Sequence, residues 1–135
     1  ESGLGFAYHN FGYDFNLYDR KMGLEWIIEE TNPDWVKLQV DFYWVMRANK
    51  ITPKDLINLA QSRFNLWHIK DMHPITKDYT ELGYGSIDYT KVLPNPNISG
   101  LEYYYLEQGG NYKINSMDSA KKSIDFFKNN IQKLI

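Results

Sequence analysis

The sequence predicts an α/β fold of parallel (β/α) units, about four strands with their helices. Three observations predict it. Short apolar, aromatic-rich runs alternate with helical patterns, turn residues punctuate each change of pattern, and polar residues cluster where the apolar runs end. That alternation is the pattern of right-handed β-α-β crossovers feeding one sheet.

Leu4 to Asn10 (LGFAYHN), bounded by Gly3 and Gly12, reads as the first strand. Tyr13 to Tyr18 alternates and Asp19-Arg20-Lys21 is turn-like, so a small β-excursion precedes a helix from Met22 to Thr31, stopped by Asn32-Pro33-Asp34. Trp35 to Tyr43 (WVKLQVDFY) is the second strand, with Asp41 near its carboxyl end. Thr52 as cap and Pro53 at the first helical position start the next helix, whose apolar face is Leu56, Ile57, Leu59 and Ala60. Phe64 to Ile69 is the third strand, with His68-Ile69-Lys70-Asp71 as its polar exit. The stretch from Met72 to Gly85 exceeds a routine turn and is a candidate active-site loop. A short helical turn follows Ser86-Ile87-Asp88-Tyr89 and ends at Pro94 and Pro96. Leu101 to Leu106 is the fourth strand, and Ser116 to Ile135 is an amphipathic helix with Met117, Ala120, Ile124, Phe127, Ile131 and Leu134 on its apolar face.

A chain of 135 residues with 43% hydrophobic content supports one core, so residues 1–135 are expected to form a single domain. A closed (β/α)8 barrel takes about 250 residues, so four units make half of a TIM-type barrel. Such a half leaves sheet edges open, which predicts a homo-oligomer or a complementary half-barrel chain as partner. The formal charge of −2 supplies no basic field for nucleic acid, and no apolar run approaches the roughly 20 residues of a membrane span. The compartment stays open between cytoplasm and, after removal of a signal peptide, periplasm. With no cysteine, any metal must be held by His, Asp or Glu. Eleven Tyr and four Trp suit a site that offers flat faces and hydroxyls to a polyol, although core packing uses the same residues.

In parallel α/β folds, chemistry gathers at the carboxyl ends of strands. Each predicted strand delivers a metal-competent residue there: His9, Asp41, His68 and Glu107. Two imidazoles and two carboxylates form a mixed N/O set for a divalent metal, suiting Mn, Co or Zn better than Mg. A carboxylate inside an apolar strand costs several kcal/mol without a partner, which singles out Asp41; His68 alone could be a core histidine bonded to a carbonyl. His9 could instead contact substrate directly. Lys70, two residues past His68, shares its face and could hold a substrate oxygen or an enolate charge; a surface lysine is the alternative. Asn10 is a further substrate contact, and Tyr43 and Trp44 either wall the pocket or pack beneath it. His73 reads as a surface residue, and Gly83-Tyr84-Gly85 lacks the Lys-Ser/Thr of a phosphate loop.

Tyr8-His9-Asn10, Val40-Asp41-Phe42-Tyr43-Trp44, His68-Ile69-Lys70-Asp71, Leu82-Gly83-Tyr84-Gly85-Ser86-Ile87-Asp88 and Leu106-Glu107-Gln108 together resemble the sugar phosphate isomerase/epimerase family of xylose-isomerase-like barrels. The resemblance runs in order along nearly the whole chain and corresponds to the family's last four strands, the C-terminal half. It implies a divalent metal on Asp41, His68 and Glu107, with His9 where the family often has Glu, and a sugar-like small molecule as substrate. It also implies that Glu107 moves a proton beside a carbonyl, with His9 or a metal-bound hydroxide as the opposing base. Phe11 stands where the second His of a His-Asn-His pattern falls, and Tyr84 where the glycine loop commonly carries Glu, so polar groups are missing from the expected pocket. A lyase or dehydratase on this architecture, or a non-catalytic carbohydrate-binding or scaffold domain, are the alternatives, and the resemblance leaves open whether an isolated half is active.

Overall fold

The computed structural model describes residues 3–135, so Glu1 and Ser2, included in the expected domain, lie outside the described residues. The chain begins with β1 (Phe6–His9), a 3-10 turn (Gly12–Phe15), a small hairpin of β2 (Leu17–Tyr18) and β3 (Lys21–Met22), then α1 (Gly23–Glu30). There follow β4 (Val36–Asp41), α2 (Phe42–Ala48), α3 (Pro53–Leu59), β5 (Leu66–Ile69), and a second hairpin of β6 (Asp71–Met72) and β7 (Tyr79–Thr80). Two short helices, α4 (Tyr89–Val92) and α5 (Pro96–Ser99), lead to β8 (Tyr103–Leu106) and α6 (Ser116–Phe126), which continues through a π turn (Phe127–Ile131).

The four predicted strands form one parallel sheet in the order β1-β4-β5-β8. Leu38, Val40, Trp67 and Ile69 alternate onto one face, where they are buried against Phe42, Val45, Leu56, Phe64, Tyr89 and Phe127. Burying an aromatic as large as Trp67 requires a partner for its N–H. It donates to Ser99 Oγ, which in turn donates to the Phe64 carbonyl. The opposite face carries Gln39, His68, Tyr103 and Tyr105, all partly or fully exposed. Among the described residues no helix is long and apolar enough to cross a membrane.

The register brings Asp41 level with His68, and His68 level with Tyr105. The second strand is shorter than expected because Asp41 ends it: Trp44 N–H donates to Asp41 Oδ1, making Asp41 the N-cap of α2. Phe42 and Tyr43 therefore belong to a helix, not to the strand. Thr52 caps α3 as expected, accepting from Asp55 N–H with Pro53 at the first position. Arg63 closes the connection between α1 and β4, its guanidinium donating to the carbonyls of Ile28 and Val36 and to Thr31 Oγ1.

The expected apolar face of the last helix is partly overturned. Met117 is 78% exposed, and Ala120, Ile124 and Leu134 are exposed as well, whereas Ser119, Ser123, Phe127 and Ile131 are buried. Polar anchors decide the rotation. The buried Glu81 carboxylate accepts from Ser119 Oγ and from Lys113 N–H, and Ser123 Oγ accepts from Leu82 N–H. Leaving a buried carboxylate unsatisfied costs more than exposing a methionine, so the serine stripe faces inward.

Candidate metal and active site

The four residues expected at the strand ends converge. His9 Nε2 lies 2.9 Å from His68 Nδ1 and 3.2 Å from Asp41 Oδ2. His68 Nδ1 is 3.6 Å from Asp41 Oδ2 and 3.1 Å from Glu107 Oε2. Parallel pairing at the carboxyl ends of adjacent strands produces this, since β1, β4, β5 and the residue after β8 all finish on one rim. His9 and His68 are 21% and 18% exposed at the side chain, Asp41 is buried and Glu107 is 41% exposed, so the cluster opens towards Glu107.

The geometry fits a shared cation. Ligand atoms about 2.0–2.2 Å from a tetrahedral ion lie roughly 3.3–3.6 Å apart, and the three separations among His9, Asp41 and His68 fall within about half an ångström of that edge. His9, Asp41 and His68 form a mutually close trio, each offering one ligand atom. Asp41 serves both purposes because its oxygens divide: Oδ1 caps α2, and Oδ2 faces the two imidazoles. His9 Nδ1 is buried without a hydrogen-bond partner.

Lys70 completes the cluster. Its ammonium lies 2.7 Å from Asp41 Oδ2 and 3.0 Å from Glu107 Oε2. Burial alone would lift the Asp41 pKa, but hydrogen bonds from His68 and His9 and the Lys70 charge outweigh it and hold the carboxylate well below its usual range. Burial likewise would lower the Lys70 pKa, and the charges of Asp41 and Glu107 reverse that, so the amine stays protonated.

The other expected contacts are placed less directly. Asn10 is buried, with Oδ1 accepting from Asp41 N–H at 2.9 Å and Nδ2 lacking a partner. It braces the Asp41 backbone. Tyr43 lies beneath Trp44, fully buried; its hydroxyl donates to the Lys77 carbonyl and accepts from Arg47. Trp44 is half-buried, with its ring against Phe11 and Tyr43. His73 stands apart, its Nδ1 accepting from Ile75 and Thr76 N–H in a turn.

Three supporting residues escaped the sequence reading. Asp71 anchors the long loop: Oδ1 accepts from Met72 and Ile87 N–H, and Oδ2 from Gly83 and Gly85 N–H. These bonds account for the glycines. A Cβ on Gly85 would fall 2.1 Å from Asp71 Oδ1, and Gly83 adopts φ +88°. Tyr89 is buried with its hydroxyl between the backbone N–H and carbonyl of Lys70, which fixes the lysine's origin. Tyr79 places its ring 5.9 Å from Lys70 Nζ and 4.7 Å from the Tyr43 ring. Asp71 stood in the polar exit and in the His68-Ile69-Lys70-Asp71 motif without a role of its own; Tyr79 and Tyr89 were indistinguishable from other tyrosines.

A parallel sheet with helices on one face and a polar cluster at the strand ends defines an α/β chain shaped as part of a TIM-type barrel. Two solved structures share this fold, both sugar phosphate isomerase/epimerase proteins from Parabacteroides distasonis. One superposes with a TM-score of 0.71 at 23% identity, over 96% of this chain and 46% of its own. The other gives 0.67 at 17% identity, over 92% of this chain and 45% of its own. The chain thus spans under half the length of either. No protein-family profile matches the sequence, and no curated protein matches it.

Proposed function

We propose that the chain is the metal-holding C-terminal half of a divalent-metal-dependent isomerase or epimerase, acting on a sugar or sugar-like substrate by proton transfer next to a carbonyl. The observation that carries this reading is the convergence of His9, Asp41 and His68 on one point, with Glu107 Oε2 beside them at 3.1 Å from His68 Nδ1. Asp41 Oδ2, His9 Nε2, His68 Nδ1 and Glu107 Oε2 would hold the ion, and their N/O chemistry suits Mn, Co or Zn better than Mg. A bound ion would polarise a substrate carbonyl and neighbouring hydroxyl.

The side chains divide the remaining work. Glu107, the most open member of the cluster, is the group that can take a proton from a substrate carbon and return it. Lys70 fixes Glu107 Oε2 and offers a positive charge to an enolate oxygen. Trp44 bounds the pocket on the α2 side.

Residues 1–135 form one half-barrel domain in this reading, and a second (β/α)4 unit covers the exposed sheet face and both edges. Supporting this, Phe6 on β1 and Tyr103 on β8 are exposed, and both solved relatives extend well beyond the matched part. Titration calorimetry of chelator-stripped protein with Mn and Zn tests the metal. One site per chain is expected, and Asp41→Asn or His68→Ala should weaken it by more than the roughly 10–100-fold that supporting residues alone contribute. Absence of binding, or variants that bind as the parent does, would refute the reading.

A further inference from the structure

We infer that Lys70 sets metal selectivity: its ammonium holds both carboxylate oxygens proposed as ligands and leaves the two imidazole nitrogens uncontested, so the site favours an imidazole-seeking ion such as Zn over an oxygen-seeking one such as Mn. This rests on the metal-holding reading above. Lys70 Nζ lies 2.7 Å from Asp41 Oδ2 and 3.0 Å from Glu107 Oε2. These are the same two oxygens that approach the imidazoles, Oδ2 at 3.2 Å from His9 Nε2 and Oε2 at 3.1 Å from His68 Nδ1. Asp41 cannot divide its oxygens between lysine and ion, because Oδ1 is engaged as the cap of α2 through Trp44 N–H. Lysine and ion must therefore share Oδ2.

The lysine has little room to withdraw. It is 5% exposed, and the Tyr89 hydroxyl, bonded to both its N–H and its carbonyl, fixes where the side chain starts. The Tyr79 ring lies 5.9 Å from Nζ and is itself packed between the Tyr43 ring and Gly109, where a Cβ would come within 2.8 Å of it. The ammonium thus stays beside any ion that the cluster takes up. Its like charge weakens binding of every divalent ion, and its bonds draw electron density from the two oxygens but not from the nitrogens. Mn and Mg take most of their affinity from oxygen donors, whereas imidazole suits Zn, so the loss falls mainly on the former.

Titration of the chelator-stripped intact chain with Mn and with Zn, in the parent, Lys70→Met and Lys70→Gln, tests this. Both variants are expected to bind Mn at least about tenfold more tightly than the parent and Zn less than about threefold more tightly, so the preference for Zn narrows. A second measurement needs no variant. In lysine-labelled parent, the Lys70 ε-carbon NMR signal, assigned from the backbone outward, should shift in step with Zn occupancy as the ion takes its share of Asp41 Oδ2. Equal gains for Mn and Zn, unchanged affinities in the variants, or a Lys70 signal indifferent to bound Zn overturns the inference and leaves the metal-holding reading standing. Failure of the parent and of both folded variants to bind either ion sinks that reading, and this inference with it.

Discussion

Replacing Asp41 with asparagine removes one negative charge from a buried cluster while keeping the shape and the N-cap, since the amide oxygen can still accept from Trp44 N–H. Lys70 then keeps Glu107 at 3.0 Å but loses its closer, fully buried partner at 2.7 Å. Breaking a buried pair by removing one side typically costs about 3–5 kcal/mol, because the other charge is left in low dielectric. Glu107 is partly open to water and still faces the ammonium, which puts the expectation near the lower end, about 3 kcal/mol. Urea unfolding of chelator-treated protein at pH 7, followed by circular dichroism, reads this as a drop in midpoint at constant slope. Adding Lys70→Met to Asp41→Asn should recover more than half of the loss, since it removes the stranded cation. The pH dependence carries a sign. Asp41 is depressed in the folded state, so its contribution is fully present above the unfolded carboxylate pKa near 3.9 and fades as pH falls below it towards the folded value. The Asp41 part of the difference between parent and Asp41→Asn should therefore shrink as pH falls below about 4. A single variant within 1 kcal/mol of the parent, or a double variant no more stable than the single, would refute the electrostatic account.

Two further expectations follow from the same bonds. Asp71→Asn leaves at most one acceptor oxygen for four backbone N–H groups, so a loss of about 3 kcal/mol is expected, with faster amide exchange at Gly83, Gly85 and Ile87; unchanged exchange there would exclude the anchoring role. Ser119→Ala should cost about 1–3 kcal/mol by removing a donor from buried Glu81, whereas Met117→Lys should stay within about 0.5 kcal/mol, and thermal unfolding showing the reverse ranking would mean that α6 is rotated as the hydrophobic pattern alone implies.

The strand positions and the four polar residues at their carboxyl ends were legible because they rest on local signals. Apolar runs between turn residues marked β1, β4, β5 and β8, and a carboxylate inside an apolar strand made Asp41 conspicuous. Thr52-Pro53 identified a helix start from two residues. The reading failed where a polar bond, local at Asp41 and long-range elsewhere, overrides an apolar pattern. Asp41 caps a helix three residues on, at Trp44 N–H, and turns Phe42 and Tyr43 from strand into helix, although the apolar run WVKLQVDFY reads as continuous strand. The rotation of α6 depends on Glu81, 38 residues before Ser119. The Met72 to Gly85 stretch was recognised as long, but its β6–β7 hairpin and its hold on Asp71 needed the fold to bring them together.

By itself, then, the order of residues determined which segments are strands, that they run parallel, and which four side chains stand at their carboxyl ends, since periodicity and turn chemistry act within a few residues. Only the tertiary structure decided how those side chains share one point, that Lys70 sits between Asp41 and Glu107, and which face of the last helix is buried. The physical reason is that satisfying buried polar groups is a three-dimensional requirement. Donor and acceptor come from distant parts of the chain, and no local pattern records their meeting.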